Sequence, residues 1–365
     1  MANFAQIAKR KIALRLDQLT FSRFIAALSI VIYHYGLNVS PFSSDTVSFL
    51  FEQANVGVSY FFILSGFIMI IAYARFPKVD AAEYLKNRLA RIYPLLVLSV
   101  IPFIFACLFM PDKMAFSDLF FNLSTLQAWI PGKAVAGNYP LWSLSVEIFF
   151  YACFPFLFNY FYKKYSVTKI AIGVVLIWML SIFVQEYLLH SAFVHKFEHS
   201  HNFIYYFPVM HLNQFLVGNL AGLLFLQRTP NMKAKYDIFI ILALIGFVLL
   251  LKHPFGIDYH NGFLAVVFIP LIILQAQNTG YLTKLLSKKP FVFLGEISFG
   301  IYMLQFPVYM IMKMVLAKLN IINPEAVFFL SLVALIIASA VCHIYFELPL
   351  RNRIKNIQLK PVKIK

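Results

Sequence analysis

An arginine and a histidine stand eleven residues apart inside one apolar stretch: Arg23 and His34 in FSRFIAALSIVIYHYG. On an α-helix turning about 100° per residue, eleven steps return to within roughly 20° of the start and rise about 16 Å. The two side chains thus share one stripe at different depths. Ionisable groups in hydrocarbon cost about 3 kcal/mol or more each, so two on one stripe mark a site of chemistry. The histidine can move a proton and the arginine can hold an anion. A snorkelling arginine with a core histidine bonded to a carbonyl is the plain structural alternative.

Other patterns supply partners. KNRLARIYP sets Arg88 and Arg91 at i and i+3 on one helix face, where two guanidinium forks can take phosphate oxygens. That suits an acyl carrier with a phosphorylated nucleotide head, although ordinary arginines at a cytosolic helix end share the spacing. In NYPLWSLSVEIFFY, Pro140 fits the first turn of a helix, which puts Glu147 about 10 Å below it. That is close to the depth expected for His34. Glu147 is therefore expected to hold one imidazole nitrogen, leaving the other free as a base, in preference to pairing with Arg23. FLGEISFGIYMLQFPV places Glu296, Ser298, Tyr302 and Gln305 on an otherwise apolar segment, either lining a polar cavity or joining helices, with Pro307 kinking the helix and freeing a carbonyl. Gly218 and Gly222 form a GxxxG pair suited to helix packing. Ser65 and Ser145 lack the Gly-x-Ser-x-Gly turn of a serine nucleophile.

Composition says what must position these groups. Of 365 residues 61% are hydrophobic and 13% charged, and the mean hydropathy is +0.77. This excludes a soluble domain and implies an all-α, polytopic membrane protein of one domain, residues 1–365. Windows of about 20 apolar residues suggest ten spans, at 19–39, 54–74, 92–110, 140–162, 167–186, 203–226, 236–252, 259–276, 291–312 and 326–347. The stretch FNLSTLQAWI before Pro140 reads as a short re-entrant or interfacial helix anchored by Trp129. No small-residue cleavage site follows Gly36, so the first span is expected to be retained. With both termini cytosolic, 24 of the 31 Lys and Arg fall on the inside and 6 on the outside, Arg23 lying within the membrane. The net charge of +16 is thereby assigned to topology and anionic lipids, with residues 351–365 as a basic cytosolic tail and no nucleic-acid partner. Cys107, Cys153 and Cys342 lie in apolar stretches and suit packing.

The order of these segments resembles the integral-membrane acyltransferase-3 family, which contains bacterial O-acetylases of cell-surface sugars. The resemblance is carried by LDQLTFSRFIAALSIVIYHYG, GVSYFFILSGFIM, NRLARIYP, LWSLSVEIFFY, FPVMHLNQFLVGNLAGLLF, FLGEISFGIYMLQFPV and YFELPLRNRI, seven matches in order through nearly the whole chain. It implies transfer of an acyl group, usually acetyl from acetyl-CoA, to a carbohydrate hydroxyl at a bacterial cytoplasmic membrane. By the same resemblance, His34 and Arg23 are the essential first-span pair and Arg88 and Arg91 engage the donor. Trp142 and Glu147 also belong to the family pattern. Many members read Tyr-Leu-x-His-x-Pro in the ninth span, whereas this chain has Tyr302, Gln305 and Pro307. A mechanism needing a second histidine there does not transfer to it.

The expected mechanism has His34 as general base, Arg23 and Glu147 beside it, and Trp142 and Tyr302 toward the substrate. An imidazole of ordinary pKa near 6.5 can take the proton of a sugar hydroxyl. An acyl-histidine intermediate is the rival route. Acetyl-CoA is expected as a substrate, with no resident cofactor and no metal. His195 and His199 have the i, i+4 spacing of a metal pair, but HKFEHSH lacks the HExxH glutamate, so His190, His195, His199 and His201 are read as structural or acceptor contacts. His211, His253, His260 and His343 are read as core or interfacial, and Glu347 as a partner of Arg351 or Arg353. A transporter or flippase is the competing class, though no inverted repeat is visible. A succinyl or longer donor, or a lipid acceptor, would keep the architecture and change the chemistry.

Overall fold

The computed structural model describes residues 16–109, 115–192, 194, 199–227 and 234–357, and every regular element among them is helical. Ten helices carry the architecture: α1 (Asp17–Tyr35), α2 (Val56–Tyr73), α3 (Ala81–Phe109), α4 (Trp142–Phe156), α5 (Val167–His190), α6 (Leu212–Gln227), α7 (Asp237–Lys252), α8 (Ala265–Gln277), α9 (Ser298–Lys318) and α10 (Pro324–Cys342). Each overlaps one expected span. Seven segments, those built on α2 to α6, α9 and α10, are long and apolar enough to cross a membrane. Helices α7 and α8, with 16 and 13 residues, are shorter than the roughly 20 that a hydrocarbon core demands. Helix α1 has the length, but Asp17, Gln18, Arg23 and His34 dilute its apolar character. The chain is a multi-pass membrane protein.

Burial separates inner from outer helices. On α5, Ile172, Leu176, Leu180, Phe183 and Tyr187 recur at three- and four-residue spacing and are all exposed. A stripe of large apolar side chains turned outward faces lipid, where it costs nothing. Helices α2 and α6 occupy the centre instead, and glycine lets them meet. A Cβ built on Gly218 would run into the Ile63 carbonyl, one on Gly66 into the Phe215 carbonyl, and one on Gly222 into Ile70. The GxxxG pair is therefore the helix contact its spacing suggested.

Three local devices aim the site. The short helix Lys289–Glu296 presses on α1, because Gly295 leaves no room between itself and the Thr20 carbonyl, one turn before Arg23. Span nine breaks after it, so α9 starts at Ser298 and Glu296 is left exposed, not in a polar cavity. Pro307 has no N–H to offer, and the Met303 carbonyl four residues earlier is bonded instead by Asn138 Nδ2 at 3.2 Å. Asn138 belongs to the stretch before α4, where the helix Phe116–Ser124 and a 3₁₀ turn Gln127–Trp129 fold back on the bundle. Its N–H donates to Asn122 Oδ1 at 3.0 Å, Gln127 Nε2 donates to the Leu141 carbonyl at 2.6 Å, and Trp129 packs edge-on against Phe149 and Phe207.

Beyond α10 a π-helical turn, His343–Glu347, leads into α11 (Leu348–Lys355). The first residues of the expected basic tail are thus helical and docked: Lys86 Nζ on α3 donates to the Lys355 and Ile357 carbonyls at 3.2 and 2.8 Å. Residues 358–365 lie outside the described residues.

Candidate active site

Helices α1, α2, α3, α4 and α9 line a cavity with about 110 Å³ of room for the centres of water-sized molecules. Ser143, Glu147 and Tyr151 stand at i, i+4 and i+8 on α4 and line it, so its long axis follows that helix for about 12 Å. Ser298 and Tyr302, also four apart, line it from α9, and Val58, Phe62, Ser65 and Met69 from α2. Ser65 sits on a regular helix, without the strained turn that exposes a nucleophilic serine.

The two ends differ in chemistry. At one end stand Arg91, Tyr151 and Glu147, with Arg23 reaching in from α1. Arg23 feels a like charge from Arg91 and an opposite one from Glu147, while the Tyr151 hydroxyl donates to Glu147 Oε1. Arg88 shares a helix face with Arg91 but is boxed by Tyr84, Tyr73 and Tyr151, its guanidinium carbon 5.6, 5.9 and 5.9 Å from the three ring centres. Such contacts hold a desolvated cation in place. At the other end, Tyr302 donates its hydroxyl to the Pro140 carbonyl at 2.9 Å and takes one from Ser143 at 2.8 Å.

His34 lies beyond that end, and Glu147 is not its partner. Its Nδ1 is 2.7 Å from Gln305 Oε1, one turn of α9 past Tyr302. Its ring stands edge-on to Tyr139 at 4.8 Å, and the Tyr139 hydroxyl meets that of Tyr35 at 2.9 Å. His34 is thus level with Tyr139, eight residues or about 12 Å above Glu147. Glu147 sits deeper than its distance from Pro140 suggested because the chain enters α4 through a 3₁₀ turn, Tyr139–Leu141, at the level of His34. Glu147 belongs with the arginines. The Gln305 amide is oriented by its other half, Nε2 donating to the Tyr302 carbonyl at 2.9 Å, so Oε1 faces the imidazole and must accept. Nδ1 therefore carries the hydrogen, and the Nε2 lone pair is left as the base.

Trp142 does not reach the cavity. It is buried among Phe62, Tyr206, His211 and His260, with ring centres 6.1, 4.8, 5.4 and 5.1 Å away. His211 and His260 are core residues, as expected. His211 bonds the Tyr205 carbonyl and Gln214, and His260 stacks on Tyr205 at 4.5 Å. Glu347 bonds His343 at 2.8 Å and reaches Arg351 at 4.0 Å. His190 is tied to Glu186, His201 stacks on Tyr205, and His195 lies outside the described residues. Sequence reasoning missed Tyr151, Ser143 and Asn138. The first two had a signal, since both stand one turn from Glu147 on its own helix face.

A family model described as an acyltransferase domain matches residues 16–344, which include His34 and every residue lining the cavity. The chain belongs to the acyltransferase-3 family. Among relatives, the O-acetyltransferase OatA of Staphylococcus aureus is 23% identical over 359 residues, 91% of this chain and 56% of that protein. The acyltransferase MdmB of Streptomyces mycarofaciens is 34% identical over 151 residues, 39% of this chain and 38% of that protein. The chain thus spans about half the length of OatA. No solved structure matches. In this acyltransferase-3 protein Gln305 is the residue that holds His34.

Proposed function

We propose that this acyltransferase-3 protein moves an acyl group, acetyl above all, from acyl-CoA to a hydroxyl of a cell-surface or lipid-linked carbohydrate. The supporting observation is one of placement. A single cavity leads from the arginines to Tyr302, and one turn past Tyr302 a histidine is held with a free lone pair. The arginine end, which the charge bias turns to the cytosol, takes the carrier's phosphates, with Arg91 on the cavity wall and Arg88 behind Tyr151. Arg23, balanced by Glu147, offers N–H donors to the amide carbonyls of the carrier's arm. The apolar wall of Phe61, Phe62, Ile68 and Met69 takes the methylenes. The thioester then lies at Tyr302.

His34 Nε2 removes the hydroxyl proton as the sugar oxygen attacks the thioester carbon. The C–S bond breaks, the acyl oxygen bond forms, and the imidazolium returns its proton to the departing thiolate. Positioning both reactants on one histidine removes much of the entropic barrier. The test is transfer from radiolabelled acetyl-CoA in membranes holding equal amounts of wild type or His34→Ala. General-base assistance is worth about 10²–10⁴ in rate, so label should enter saccharide with the wild type and fall by that order in the variant. Equal labelling by both would remove His34 from the chemistry.

A further inference from the structure

We infer that α11 is part of the donor site: Arg351 and Lys355 join Arg88 and Arg91 in binding the phosphates at the nucleotide end of the acyl carrier. This rests on the donor reading above and extends it to an element outside the family match, which ends at residue 344.

Three observations carry it. First, α11 is held in place. Lys86, two residues before Arg88 on α3, donates to the carbonyls of Lys355, the last residue of α11, and of Ile357 just past its end, where helix carbonyls lack partners within the helix. The clasp brings the end of α11 to the turn of α3 that carries the Arg-x-x-Arg pair. Second, the clasp gathers like charges. Lys355 lies close enough to Arg351, Arg88 and Arg91 for all three to oppose its charge. Glu347 pairs with Arg351 at 4.0 Å and also bonds His343 at 2.8 Å, one carboxylate beside four cations. Third, donors are left over. The Nε atoms of Arg88 and Arg351 are both buried without a hydrogen-bond partner, a costly state that a phosphate oxygen relieves.

Cations assembled from two elements with unused N–H groups suit an anion carrying several charges. The nucleotide end of a CoA thioester does, and Arg91 also lines the cavity. An anionic lipid headgroup offers the same phosphate chemistry, since a basic helix at a membrane edge also attracts lipid.

The full chain, reconstituted in phosphatidylcholine nanodiscs, separates these. Binding of CoA would be measured for wild type, Lys355→Gln, Lys355→Arg and Arg351→Gln. Alongside it, the ratio of kcat/KM for acetyl-CoA to that for acetyl-pantetheine, which has no nucleotide phosphates, would be determined. Each Gln variant should weaken CoA binding about fivefold or more, as expected for a partly screened charge. The ratio should fall by the same factor, and Lys355→Arg should retain wild-type values. Unchanged CoA affinity in both Gln variants overturns the inference, and so does an equal loss with acetyl-pantetheine. A defect that appears only when anionic lipid is added assigns the cluster to lipid and also overturns it. A wild type that neither binds CoA nor transfers acetyl refutes the donor reading itself, a separate result.

Discussion

Replacing Gln305 by leucine removes the acceptor that fixes the His34 tautomer while keeping the side chain's bulk. The lost contact is a 2.7 Å hydrogen bond to a half-buried imidazole. Leaving such a donor unsatisfied costs about 1–3 kcal/mol. A neutral imidazole escapes part of that cost by shifting its proton to Nε2, which consumes the lone pair needed as base. The productive tautomer should become scarcer by about 10–100-fold, the factor equivalent to about 1.4–2.8 kcal/mol. Gln305 does not line the cavity, so the loss should fall on kcat with the KM for acetyl-CoA unchanged. It should also be smaller than that from His34→Ala, where the base itself is gone. Gln305→His, which supplies another acceptor, should recover much of the rate. The assay is initial-rate kinetics of purified protein in nanodiscs with acetyl-CoA and acceptor glycan. A kcat for Gln305→Leu within twofold of wild type, or a change confined to KM, would refute the assignment of Gln305 as the positioning group.

Three further outcomes follow from the packing and the charges. Gly218→Val should destabilise by about 1–3 kcal/mol, because its side chain meets the Ile63 backbone on the facing helix; thermal unfolding in detergent would read this as a lower Tm, with Gly173→Val, in open space, as the control. Asn138→Leu should cost about 1–3 kcal/mol by stranding the Met303 carbonyl, and the cost should shrink when Pro307→Ala restores the helical N–H, a coupling that a double-mutant cycle detects. Burial holds the Asp258 carboxyl above its usual range, the Glu186 carboxylate adding to the effect and the His260 N–H opposing it. A raised pKa means that stability is full below the unfolded value near 3.9 and is lost as pH rises through the folded one. Asp258→Asn keeps an acceptor for the His260 N–H and should melt higher than wild type at pH 7, the advantage vanishing toward pH 4; a constant difference across that range would contradict the account.

The sequence by itself determined what local spacing can express. Apolar windows decided the membrane class, because no arrangement of so few charges hides that much apolar surface in water. Motifs in order decided the family. Pro307 announced a freed carbonyl and Gly218 with Gly222 a close helix contact, since both follow from what a residue lacks rather than from what surrounds it. The four-residue spacing of Ser143, Glu147 and Tyr151 was also legible, although only Glu147 was read from it.

What only the tertiary structure decided is which faces meet and at what height. The partner of His34 stands 271 residues away. No count of residues below a surface distinguishes Glu147 from Gln305 when a 3₁₀ turn and a helix break shift the relative levels of α1, α4 and α9. Trp142 has the right position in the chain and turns its ring into a histidine cluster. Arg88 and Arg91 share a helix face, yet three tyrosines from α2, α3 and α4 enclose the first and leave the second to the cavity. Helical periodicity is set within a few residues, whereas depth and rotation between helices are set by the packing of side chains far apart in the chain.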